Sequence, residues 1–95
     1  KLIDLRTQIN QIEAKLNSLD DEEEKISEDQ KRLRENIETL SKTPEAKALI
    51  TRYVEKVNNQ ETRLETMVKE RQNLESEQQK LEEDLAREIN NFELK

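Results

Sequence analysis

The 95 residues include no glycine, cysteine, histidine or tryptophan, and only one proline, one tyrosine and one phenylalanine. Each absence excludes something. Tight β-hairpin turns draw on glycine, and sheets pack aromatic and β-branched side chains, so an all-β fold is poorly supplied. Without cysteine or histidine there is no disulfide framework, no ordinary zinc site and no Cys-His or Ser-His nucleophile. No glycine-rich loop exists to hold a phosphate. No run approaches the roughly eighteen apolar residues of a membrane span. Absence of cysteine fits any redox compartment.

What is present is charge. Charged residues make up 42% of the chain and apolar ones 31%, with 17 Lys and Arg against 23 Asp and Glu for a net charge of −6. There are 8 basic and 11 acidic side chains up to Thr43, and 9 and 12 from Pro44 onward. The even balance leaves no basic pole for nucleic acid or anionic lipid. The dense acidic run Asp20-Asp21-Glu22-Glu23-Glu24 reads as a solvated helix face. A calcium loop would need ligands on alternate residues and a glycine at its turn. Lys31-Arg32 and Arg34 are diluted by Asp29 and Glu35, and they too read as a solvated face. The expectation is no nucleic-acid partner and no membrane insertion. The chain starts at Lys1, already inside a periodic pattern, and is expected to be a soluble fragment of a larger protein. Any signal or anchor would lie outside it, so its compartment stays open.

One pattern organises the whole chain. Leu2, Leu5, Ile9, Ile12, Leu16, Leu19, Glu23, Ile26, Gln30, Leu33, Ile37 and Leu40 alternate in spacing between three and four, and 10 of these 12 are apolar. That is a heptad seam. It predicts a helix over 1–40, about 60 Å long at 1.5 Å per residue. The pattern stops at Ser41-Lys42-Thr43-Pro44. Proline disfavours helical geometry in the residue before it and suits the first helical position. Residues 41–43 are therefore expected to turn. Helix two is expected over 44–93, with the Thr43 hydroxyl accepting a capping hydrogen bond from the next turn. Helix two repeats the spacing through Ala46, Ile50, Tyr53, Val57, Gln60, Leu64, Met67, Arg71, Leu74, Gln78, Leu81 and Leu85. Near its end Leu85, Ile89 and Phe92 give a better stripe than Leu85, Glu88 and Phe92, a step that would locally unwind a supercoil.

Two long amphipathic helices joined by a few residues favour an all-α antiparallel coiled-coil hairpin. The rival, a continuous kinked rod dimerising in parallel, carries the roughly 3 kcal/mol cost of a mid-helix proline. A hairpin has a register, set by the constant to which facing residue numbers add. A total of 83 sets Leu33 against Ile50, Ile26 against Val57 and Ile9 against Leu74, with Glu23 meeting Gln60. It brings Glu22 to Arg63, Asp29 to Lys56, Lys15 to Glu70 and Arg6 to Glu75, all opposite in sign, with Asp20 clashing against Glu61. A total of 90 faces Gln30 with Gln60, but it opposes Leu19 to Arg71 and Ile12 to Gln78 and sets Glu22 by Glu70 and Glu13 by Glu75, pairs of like charge. The register of 83 is expected. Glu23, Gln30, Gln60 and Arg71 would specify it as polar seam residues.

In that register helix two outruns helix one. Leu85, Ile89, Phe92 and Leu94 would stand uncovered, and Val54 and Val68 would widen the apolar stripe beside the seam. These six residues form the candidate interface. For Val54 and Val68 a merely broad seam fits as well as a second interface. Expected partners are a second hairpin or the rest of the parent chain. Chemistry has little to work with. Paired carboxylates need a cleft that splits their pKa values, and di-iron bundles need Glu-x-x-His pairs. No catalytic, cofactor or metal residues are expected, and no enzyme.

Three strings are less generic: Gln30-Lys31-Arg32-Leu33-Arg34-Glu35-Asn36-Ile37, Arg52-Tyr53-Val54 and Asn59-Gln60-Glu61-Thr62-Arg63-Leu64. They resemble the C-terminal helical segment of large bacterial proteins with a β-rich domain of unknown function, some described as mucoidy-inhibitor-like. The resemblance covers about a third of the chain. It implies a helical arm on a β-rich body from a bacterium, with no established activity and no site residues. The function expected is a structural coiled-coil spacer or oligomerisation segment. The alternative is a helical protein-binding module that uses the apolar stripe of helix two.

Overall fold

The computed structural model describes residues 2–93. Helix α1 spans Leu2–Leu40, a single 3-10 turn spans Pro44–Ala46, and helix α2 spans Lys47–Glu93. No strand occurs among the described residues. Neither helix contains glycine or proline, the two residues that most destabilise a helix interior. The chain is an antiparallel helical hairpin, as the periodicity expects.

The connection closes by local hydrogen bonds. Ser41 N donates to Ile37 O at 2.9 Å and Thr43 N to Leu40 O at 2.9 Å. The Ser41 hydroxyl donates to Glu38 O at 2.7 Å. Carbonyls left over at the end of α1 are thereby used. Thr43 is extended, with φ −114° and ψ 106°, as a residue before proline should be. Its hydroxyl makes no capping bond, contrary to expectation. The Thr43 backbone carbonyl instead accepts from Ala46 N at 3.0 Å. That tighter bond winds Pro44–Ala46 as a 3-10 turn, so the α-helix starts at Lys47 rather than at Pro44.

Residues cluster into two units. The turn-side unit is Asp21–Met67. Its buried side chains are Leu33, which is 0% exposed, with Gln30, Ala46 and Met67. The other unit joins Lys1–Asp20 to Val68–Lys95 and buries Ile9, Ile12 and Leu19. All are seam positions of the heptads. Most remaining seam residues, among them Leu16, Ile26, Val57, Leu64 and Leu74, are half-buried. Glu23 is an exception: its side chain lies in an exposed position, although its heptad place is in the seam.

Both units show the same register, and it is not the expected one. In the turn-side unit Gln30 bonds Glu61 and Gln60 bonds Asp29, pairs whose numbers add to 91 and 89. In the other unit Arg71 pairs with Asp20 and Gln78 bonds Glu13, pairs that both add to 91. The facing total is therefore near 90, one heptad from 83. Two ion pairs expected of the 83 register are nevertheless present, Arg63 with Glu22 and Lys56 with Asp29. In the observed register their residues stand about 7.5 Å apart along the axis, at 1.5 Å per residue, and long side chains span that gap. Arg34 and Glu61 span a similar gap in the opposite direction. Such flanking pairs fit either register, so their good signs could not choose between the two.

The changed register shortens the expected overhang. Leu85 and Ile89 are half-buried. A cleft of about 510 Å³ lies between Asp4, Leu5 and Gln8 of α1 and Asp84, Arg87 and Glu88 of α2. Phe92 is 75% exposed, while Leu94 lies outside the described residues. Glu88 is half-buried beside Ile89, so the last turns present a broad face rather than a clean switch of stripe.

Leu33→Ala should lower unfolding free energy by about 2–5 kcal/mol, as for other fully buried leucines. Thr43→Ala should change it by less than about 0.5 kcal/mol, because no side-chain cap is lost. Urea titrations followed by circular dichroism at 222 nm measure both.

Candidate functional site

The most organised group of polar side chains lies where the seam of the turn-side unit is interrupted by amides. Gln30 is buried at 6% exposure, and Gln60 is half-buried. The register sets them level. Gln30 Nε2 donates to Glu61 Oε1 at 3.0 Å, and Gln60 Nε2 donates to Asp29 Oδ2 at 2.7 Å. Each amide thus reaches the acid that adjoins the other amide in sequence. The antiparallel arrangement makes this possible. Helix α1 reads Asp29-Gln30 and α2 reads Gln60-Glu61, so reversing one helix sets each amide across from an acid. Gln60 Oε1 is buried with no hydrogen-bond partner. An unmet buried acceptor costs roughly 1–3 kcal/mol, so the layer is better suited to specificity than to stability.

Charges extend the layer. Asp29 accepts from Arg32 through Nη2 at 2.7 Å and Nε at 3.2 Å, and Lys56 Nζ lies 3.4 Å away. The Arg32 hydrogen bonds, and after them that of Gln60, hold the Asp29 carboxyl below its ordinary pKa, while Asp29 raises Arg32. Arg63 grips Glu22 with two bonds, Nε to Oε2 at 2.5 Å and Nη2 to Oε1 at 2.8 Å. That contact lowers the Glu22 pKa. Both carboxyl shifts run the wrong way for a general acid at neutral pH. Among the described residues no group of three or more acids is placed to hold a metal ion.

The four polar residues expected to set register fare differently. Gln30 and Gln60 meet in one layer. Glu23 is exposed, level with Met67 rather than Gln60. Arg71 is half-buried, and its guanidinium leans out of the seam to Asp20 Oδ1 at 2.5 Å. Its stem stays level with Leu19, which remains buried at 6% exposure beneath it. The heptad spacing does not single out Asp20, Asp29 and Glu61 as partners of these residues. The mirrored Asp-Gln and Gln-Glu dipeptides are the signal for two of them.

The candidate interface also divides. Val54 is 42% exposed and Val68 56%, and both belong to α2. Phe92 is exposed, Leu85 and Ile89 are half-buried, and Leu94 lies outside the described residues. No described helix is long and apolar enough to cross a membrane. Comparisons with protein-family models, with curated proteins and with solved structures returned no match.

The two lowered carboxyls fix a pH dependence. A carboxylate whose pKa is depressed by folding contributes stability above its unfolded value and loses it as pH falls through the folded one. Stability should therefore be flat near neutrality and decline once pH drops below about 4.5, the upper end of ordinary carboxylate values. Glu22→Gln with Asp29→Asn should flatten that decline. Urea midpoints measured from pH 7 to pH 2 provide the check.

Proposed function

We propose that the chain is a structural coiled-coil hairpin that spaces or oligomerises the rest of a larger protein. The observation that carries this is the thinness of the packing. Six apolar residues are buried in the described chain, five at seam positions of the two helices and Ala46 in the 3-10 turn. A hairpin with one seam gains from a second copy, which can cover apolar side chains beside that seam. The working parts are the buried seam residues and the Gln30–Gln60 layer, with flanking charges that hold the helices together without choosing their register. No catalytic role is assigned to any residue.

A second function is supported by the exposure of Val54 and Val68. Both stand beside the seam of α2, where an apolar groove on another protein could receive them. The resemblance of the strings between Gln30 and Leu64 supports a further placement, as a helical arm on a β-rich bacterial protein.

Sedimentation equilibrium separates the first two. Self-association predicts twice the chain mass at micromolar concentration, falling to one chain mass when Val54 and Val68 are both changed to Glu. A chain that remains monomeric at millimolar concentration favours a different partner and rejects the homotypic dimer.

A further inference from the structure

We propose that the hairpin has two registers one heptad apart and that the Gln30–Gln60 layer is the lock on the one observed. Three observations carry this. First, apolar residues recur along both helices at the same three-four spacing, so a slide of seven residues, about 10 Å, again sets most apolar seam residues against apolar ones. Second, Arg63–Glu22 and Lys56–Asp29 fit both arrangements. In the observed register each pair spans about five residues of axial offset, and in the slid register about two, so neither need break permanently. Third, the connection holds slack. The 3-10 turn at Pro44–Ala46 lies between the end of α1 and the start of α2. Taking Pro44–Ala46 into the second helix leaves 41–43 as the turn that a facing total of 83 requires.

What differs between the registers is polar. The observed one makes Gln30–Glu61, Gln60–Asp29 and Arg71–Asp20. The slid one loses all three and sets Asp20 beside Glu61, two like charges. The lock is also imperfect, because Gln60 Oε1 is buried without a partner. The device is a helical pair whose apolar seam tolerates two positions and whose few polar contacts select one. A load or a bound partner that pulls one helix along the other would be read out as a one-heptad step.

The test measures register directly in the full chain. Cysteines replacing Lys15 and Glu77 are close in the observed register, and cysteines replacing Lys15 and Glu70 are close in the slid one. Each pair is treated with a short thiol-reactive crosslinker. The otherwise unsubstituted chain should yield mainly the first product and a minor amount of the second. Glu61→Lys removes the acceptor of Gln30 and turns the slid register's clash into an attraction between Asp20 and the introduced lysine. It should raise the ratio of second to first product at least tenfold. Asp20→Lys should do the same independently, by repelling Arg71 and pairing with Glu61. The two changes together restore a like-charge contact in the slid register, so the double variant should lose most of the gain. An unchanged ratio in both single variants, a double variant that only adds their effects, or loss of helical circular dichroism in both would overturn the two-register hairpin.

Discussion

Two helices by themselves can share only one seam, and every other feature of this chain follows from that geometry. A globular core can take a side chain from any direction, whereas a helical pair buries only the residues that point at its partner. Of the buried apolar residues, Ile9, Ile12, Leu19, Leu33 and Met67 therefore fall at seam positions of the two helices, and Ala46 in the 3-10 turn. The remaining faces must be wetted, which is why 42% of the residues can be charged without penalty. The seam also carries a degeneracy. Heptads repeat, so moving one helix by seven residues returns apolar residues to apolar neighbours. Burial gives the pair its stability but says little about its alignment.

That division explains what was legible in the sequence. The unbroken three-four spacing from Leu2 to Leu40 and the arrest at Ser41–Pro44 state the helices and the turn directly, because helix period and proline geometry are local properties. The hairpin follows from the short connection. Register is not local. Opposite charges across the seam point to Glu22–Arg63 and Asp29–Lys56, and both pairs are present. Side chains of that length span more than a turn of helix, so two true contacts support a false alignment. Thr43 fails for a related reason. The residue type suits a cap, but the Ala46 N–H that its hydroxyl would accept from is already donated to the Thr43 carbonyl in the 3-10 turn.

The contacts that do discriminate come from side chains rooted in the seam. A glutamine in the seam reaches one neighbouring level and no further, so Gln30 and Gln60 report register where Arg63 and Lys56 do not. Their cost is visible in the unmet Gln60 Oε1. A leucine pair at the same layer would bury more apolar surface and leave no orphan, yet it would fit a neighbouring heptad equally well. In the two-register proposal the polar layer exchanges stability for alignment, as polar residues inside helical seams commonly do. Arg71 solves the same problem differently. It keeps its charge outside the seam on Asp20 and leaves its stem level with Leu19.

The register also bears on how the chain meets other molecules. With helix two outrunning helix one, the end of α2 would have been the obvious adhesive patch. In the observed alignment Leu85 and Ile89 are half-buried, and that argument weakens. The large apolar residues left most exposed on α2 are Val54, Val68 and Phe92. The valines stand two heptads apart, at the same flanking position. A partner that read them would have to follow the same repeat, which is what another heptad helix does and a compact globular pocket does not. Phe92, the most exposed of the three, stands at the end of α2, so apolar surface is left both there and along the side of the helix.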